Sequence, residues 1–214
     1  MLALIFDTET TGLIPKNEEL KNTEKFPYIV QISWLVYDID NNKLMSLQDH
    51  IIKCKIKIPD ESIEIHKITN EISQSEGISM NTALKLFEID YKKSDIIVAH
   101  NLEFDKKMYI IEALRNKRAQ LFKNLYNLEK EFCTMKETTS FCNIECQGKD
   151  GKKYMKYPKL CELYKKIFKD EPNGMHNSLV DILLCLRCFM FYKYKKDVLN
   201  NALVNMLFER NEIN

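Results

Sequence analysis

Leu2-Ala3-Leu4-Ile5-Phe6-Asp7-Thr8-Glu9-Thr10-Thr11-Gly12 decides how the rest of this 214-residue sequence is read. Four aliphatic residues closing on D-x-E read as a buried strand over residues 1–7 that lifts two carboxylates to a sheet edge. Alternation along a strand puts Asp7 and Glu9 on one face, about 7 Å apart. Like charges held that close repel, and cations are what keep both ionised. The small residues Thr10, Thr11 and Gly12 then let a ligand approach the backbone.

Outward from this strand, residues 28–37 form a second, rich in β-branched and aromatic side chains, and Asp40-Asn41-Asn42-Lys43 turns into a third over 44–52. Helices are expected over 62–75 and 79–92, the latter capped by Ser79. A fourth strand at 94–99 leads into a helix over 102–117, and residues 132–135 form a fifth strand. Helices follow at 158–168 and 178–192, with a terminal one over 197–210. An antiparallel opening followed by helix–strand units implies an α/β fold, a five-stranded mixed sheet with helices on both faces.

Apolar residues make up 45% and charged residues 29%, which suits a globular domain, and no stretch approaches a membrane span. The formal charge is +1, so any contact with nucleic acid must rest on local patches. Seven irregularly spaced cysteines argue against a disulfide framework. They fit a reducing compartment, cytoplasmic or nuclear, and no targeting signal is seen. Cys185-Leu186-Arg187-Cys188 is formally C-x-x-C, but it lies in an apolar run where cysteine serves as a small hydrophobe.

Two further segments carry acids at element starts. In Val98-Ala99-His100-Asn101-Leu102-Glu103-Phe104-Asp105, Asp105 falls in a first helical turn, where a carboxylate also suits the helix dipole. Asn101 either caps that helix or meets a ligand. Phe104 is either a core residue, spaced with Met108 and Ile111, or a substrate contact. In His176-Asn177-Ser178-Leu179-Val180-Asp181, Asn177 or Ser178 caps the next helix, Asp181 lies in its first turn, and His176 stays on the loop.

Together, in this order and spacing, the three segments resemble the DEDDh 3′–5′ exonucleases, the DnaQ-like and RNase T-type family of the ribonuclease H-like superfamily. Asp7 and Glu9 match its first motif, Asp105 in H-N-x-x-F-D its second, and His176 with Asp181 in H-x4-D its third. Between the motifs, Gln31-Ile32-Ser33 resembles the family's next strand. Ile65-His66-Lys67-Ile68-Thr69 resembles its H-G-I-T segment, with Lys67 in place of Gly. Ser178 stands where Ala is usual. The likeness spans about residues 1–192.

The resemblance implies an exonuclease domain over 1–196, with 197–214 a C-terminal helical extension packing on it. It implies two Mg²⁺ or Mn²⁺ ions, hard cations that suit oxygen ligands. Asp7 would bridge both, Glu9 and Asp181 would complete the first, and Asp105 would serve the second. His176 would act as general base, with an ordinary pKa near 6.5 suited to neutral pH. The reaction implied is release of nucleoside 5′-monophosphates from single-stranded 3′ ends, with DNA placed ahead of RNA. DNA end trimming, repair or proofreading is one role expected, and an RNA 3′ exoribonuclease in RNA end maturation or small-oligonucleotide clearance fits almost as well. Thr8, Thr10, Thr11, Leu13, His66, Asn101 and Phe104 are the candidate substrate contacts, Leu13 as a wedge against a base.

Residues 147–170 hold eight lysines against three acids, with Tyr154, Tyr157 and Tyr164 among them. This stretch is either a solvated face or a basic loop guiding a strand toward His176. The apolar stripe Val198, Leu199, Ala202, Leu203, Met206 and Leu207 is expected to pack on the domain, with a homodimer or a polymerase partner as the other use. Two other readings stay open. One is a non-catalytic nucleic-acid-binding module on the same fold. The other is an endonuclease on RNA–DNA hybrids, against which the His176–Asp181 spacing argues.

Overall fold

The computed structural model describes residues 1–118 and 130–213. Its central sheet has five strands: β1 (Leu2–Thr10), β2 (Ile29–Asp38), β3 (Lys43–Ile51), β4 (Ile96–Ala99) and β5 (Glu131–Cys133), in the order β3-β2-β1-β4-β5. The first three are antiparallel, while β4 lies parallel to both β1 and β5. A mixed sheet of five strands is what the sequence predicts.

Register matters more than order here. β1 pairs with β2 along its whole length, from Leu2 opposite Asp38 to Thr10 opposite Ile29. Against β4 it pairs only through Ala3, Leu4 and Ile5. The strand therefore runs past the expected end at residue 7, and Asp7 and Glu9 overhang a neighbour that has already stopped. That overhang makes the cleft.

Both sheet faces are covered, which is why β1 reads as a continuous apolar run. On one face Ala3, Ile5 and Leu35 pack against Ile182, Leu183, Leu186 and Phe189 of a long helix over Ser178–Tyr194. On the other, Phe6 and Trp34 pack against Phe87 of α3 (Met80–Tyr91) and Tyr109 of α4 (Leu102–Arg115). Phe6 meets Phe87 edge-on at 5.7 Å and Tyr109 at 5.4 Å. Such buried aromatic pairs contribute about 0.5–1.5 kcal/mol each beyond their area. Ser79 caps α3 as expected, accepting from the Thr82 N–H.

Four local expectations are corrected. The helix expected over 62–75 is two, α1 (Asp60–His66) and α2 (Asn70–Glu76). Thr69 breaks the run by capping α2, its hydroxyl accepting from the Ile72 N–H at 3.2 Å. Lys67 closes α1 at φ 63°, a left-handed position where Gly would carry no steric cost. The fifth strand ends at Cys133, and Thr134 opens α5 (Thr134–Glu137), followed by α6 (Thr139–Cys142). The basic stretch holds a small hairpin, β6 (Glu145–Gln147) with β7 (Lys153–Met155), before α7 (Leu160–Phe168).

The Ser178–Tyr194 helix is α8. After it, the helix expected over 197–210 is a 3-10 turn, Val198–Asn200, and α9 (Ala202–Arg210). Asp197 and Asn201 each cap their own segment, and two caps four residues apart prevent one continuous helix. Val198, Val204, Phe208 and Ile213 reach the core beside α8. Leu203 and Met206, by contrast, stay exposed. All seven cysteines are free, with Cys185 and Cys188 buried in α8. Among the described residues no helix is long and apolar enough to cross a membrane.

Candidate active site

Asp7 and Glu9 leave the overhanging end of β1 on the face covered by α8, and Asp181 comes from the first turn of α8. One carboxylate oxygen from each of the three lies within 4.8 Å of the others. Among the described residues this is the group fit to hold a metal. Asp105 enters from α4 across the strand and does not join the trio. Its Oδ1 accepts from the Thr8 N–H at 3.0 Å and the Thr8 hydroxyl at 2.7 Å, both buried.

Burial is the main force on these acids, and it disfavours their charged forms. It raises Asp7 well above the usual carboxylate range, with Asp105, Asp181 and Glu9 adding like-charge repulsion in that order. Glu9 is pushed up to about 8 by burial, then by Asp181 and Asp105. Asp105 is pushed up to about 7 by burial, against the two Thr8 hydrogen bonds that favour its anion. Asp181 is likewise pushed up to about 7 by burial, opposed by a backbone hydrogen bond from His176. At neutral pH the group cannot be fully ionised without positive charge beside it.

The donor set fits a hard divalent cation: all ligands are carboxylate oxygens, and Asp181 Oδ1 is buried with no hydrogen-bond partner. A buried, unpaired carboxylate oxygen within an acidic trio is unfavourable unless something positive meets it.

His176 precedes α8 on an exposed loop at φ 68°, near Gly174 at φ 72°. Asn177 caps α8, its Oδ1 accepting from the Leu179 N–H at 3.0 Å. Ser178 is not the cap; its hydroxyl meets Ser33 Oγ at 2.5 Å. Gln31 joins the same junction, donating to Asp49 at 2.9 Å and accepting from the Ser178 N–H at 3.3 Å.

The candidate substrate contacts fall in several places. Thr8 is buried and engaged with Asp105. Thr10 Oγ1 donates to the Gly12 carbonyl, and Thr11 Oγ1 accepts from the Tyr28 N–H, so both hydroxyls hold the loop after β1. Leu13 projects from that loop 87% exposed. Asn101 makes no side-chain cap on α4 and sits at φ 69°, half-buried. Phe104, in the first turn of α4, packs partly on the core. His66 is buried, with Nδ1 accepting from the Ile68 N–H at 3.1 Å and Nε2 unpartnered.

One site residue went unassigned in the sequence. His100 is a half-buried clip, bonding Thr134 Oγ1 through Nδ1 and the Pro158 carbonyl through Nε2, each at 3.0 Å. Burial lowers it to about 4, so it is neutral. Its place in H-N-x-x-F-D was visible, but the two partners were not.

The family model of the RNase T exonucleases matches residues 4–189. The chain belongs to the RNase T exonuclease family. Comparison with curated proteins finds no match. Among solved structures the chain is similar to Escherichia coli exonuclease I in complex with a dT13 oligonucleotide, at 14% identity and TM-score 0.66, covering 97% of this chain and 43% of that one. A zinc-bound form of the E. coli exonuclease I–ssDNA complex aligns at 12% identity and TM-score 0.67, covering 97% and 43%. Exonuclease I of Methylocaldum szegediense aligns at 12% and 0.65, again covering 97% and 43%. This chain thus spans less than half the length of those proteins. At such identities the likeness establishes the ribonuclease H-like fold, and membership of the family rests on the family model.

Proposed function

We propose that the chain is a 3′–5′ exonuclease that hydrolyses the terminal phosphodiester bond of a single strand and releases nucleoside 5′-monophosphates. The observation that carries this reading is the gathering of Asp7, Glu9 and Asp181 within 4.8 Å at the overhanging end of β1, with His176 on the adjoining loop. The oligonucleotides named for the E. coli protein are deoxyribonucleotides, which supports DNA ahead of RNA as substrate.

Asp7, Glu9 and Asp181 would hold a divalent cation, with Asp105 available to a second, and Mg²⁺ or Mn²⁺ suits this oxygen set. When bound, such ions neutralise the acids and withdraw electron density from the scissile phosphate. Thr8 holds Asp105 in place from both its N–H and its hydroxyl. His176, exposed beside Asp181, takes the proton from the attacking water on an imidazole nitrogen, a role worth about 10²–10⁴-fold. Leu13, projecting from the loop after β1, is the wedge against the terminal base. Repair or proofreading of DNA ends fits such an activity.

Mononucleotide release from 3′-labelled single-stranded DNA and RNA oligomers, with Mg²⁺ or Mn²⁺, tests the reading. Release that disappears with EDTA, with Asp7→Ala and with His176→Ala supports it, and the faster polymer identifies the sugar. A ladder of internal fragments, or binding without release, overturns it.

A further inference from the structure

A cavity of about 610 Å³ opens between the start of β2, the segment after β3, the N-terminal end of α3 and the C-terminal end of α4. That volume is in the range of small-ligand sites. It lies on the sheet face opposite the carboxylate trio, beside the end of β1. Ile29, in its wall, pairs with Thr10 of β1, and Tyr28 exchanges backbone hydrogen bonds with Thr11, one through the Thr11 hydroxyl. The wall is mostly apolar, while Lys53 and Lys55 stand exposed at its edge. Among the described residues neither lysine has an ion-pair partner.

The remaining wall suits a planar, polar-edged ligand. The Arg115 guanidinium lies 3.7 Å from the Tyr28 ring centroid and fixes that ring in place. Arg115 also neutralises Glu112, the acid in the lining, at 2.6 Å. Asn81 and Asn116 add side-chain amides. α3 carries no acid in its first turn, so its positive end is uncompensated there. Apolar walls, amides and two unpaired ammonium groups match a nucleobase with its phosphate.

We propose that this cavity binds one internal nucleotide of the single strand whose 3′ end lies at the carboxylates, with Lys53 and Lys55 on its phosphate. The proposal rests on the exonuclease reading and deepens it. The cavity adds affinity for longer strands without touching the bond being cut.

The test compares the parent protein with Lys53→Glu/Lys55→Glu and with Asn81→Trp, which fills the cavity from an exposed position. Anisotropy of labelled dT12 and dT2 is read in EDTA, and steady-state cleavage of both in Mn²⁺. The lysine pair should weaken dT12 binding about 10-fold or more and flatten its log–log salt dependence by about 0.7, the value for one phosphate on a single strand. KM for dT12 should rise with kcat unchanged, and dT2 should be unaffected. Asn81→Trp should reproduce the length-selective loss without altering the salt slope as strongly. Equal loss on dT2 and dT12, or no loss on either, overturns the cavity while leaving the exonuclease standing. A parent that cleaves neither polymer overturns the exonuclease reading instead.

Discussion

Ser178, the first residue of α8, and Ser33, in the middle of β2, meet hydroxyl to hydroxyl at 2.5 Å. Ser33 Oγ also donates to Asp49 Oδ1 at 2.7 Å, and a hydroxyl has one proton, so Ser178 is the donor to Ser33. The bond pins the start of α8 to the sheet three residues before Asp181. Ser178→Ala is expected to cost about 1 kcal/mol, lowering Tm by about 2–4 °C. Combined with Ser33→Ala the losses should be less than additive, since both remove one bond. Thermal melts of the two single variants and the double variant check this, and full additivity would refute the assignment.

Thr8→Val keeps the size of the side chain and removes the O–H donor to Asp105. That donor favours the ionised carboxylate, so its loss should raise Asp105 further above about 7. The acid limb of the cleavage-rate profile is then expected to move to higher pH, with a lower rate at pH 7. If Thr8 instead contacts the nucleotide, KM rises and the acid limb stays where it was.

Without metal, stability should fall as pH rises from 6.5 to 8. Asp7, Glu9, Asp105 and Asp181 all have raised pKa values in the folded chain, so the folded state binds more protons than the unfolded one in this window. The slope of unfolding free energy with pH is therefore negative. His100, lowered to about 4, and His50 and His66, also lowered by burial, act in the opposite direction, an effect that fades by about pH 7.5 as the unfolded histidines lose their protons and is outweighed by the four acids. Urea unfolding in EDTA across pH 6.5–8 measures the slope, and adding Mn²⁺ should flatten it.

Asp7→Asn separates stability from activity. It removes a buried charge from the repelling group, so the EDTA-treated variant should melt higher than the parent at pH 8. It should also lose most of the melting increase produced by Mn²⁺, together with nuclease activity. Scanning calorimetry with and without metal reads both, and an unchanged metal response would exclude Asp7 as a ligand.

His100→Ala removes both ties of the clip at once, to Thr134 and to the Pro158 carbonyl. The expected cost is about 1–3 kcal/mol. Pro158 lies just after the β6–β7 hairpin, so trypsin should cut at Lys152 or Lys153 faster in the variant. Equal cleavage rates would show that the hairpin is held by other contacts.

Much of this was legible in the sequence because it is local. The alternation around Leu4 and Phe6, and the aromatic β-branched run at 28–37, mark the strands. The offsets of Asp105 and Asp181 from the starts of their helices mark the motifs. Less local features were misread. Whether 62–75 is one helix depends on Thr69 outcompeting the helix as a cap. Whether the stretch after Cys146 is a loop or a hairpin depends on pairing across a turn, Cys146 with Tyr154.

The sequence by itself determined the order of the five central strands and of the helices that carry Asp105 and Asp181, and with them the four acids and the histidine, since periodicity and motif spacing depend on neighbours along the chain. Only the tertiary structure decided that β4 stops short of Asp7, that Thr8 serves Asp105 from 97 residues away, and that Ser178 bonds Ser33 instead of capping its helix. Those facts depend on register between strands and on how α4 and α8 pack on opposite sheet faces. Packing is set by the summed fit of many distant side chains, which no short stretch of sequence encodes.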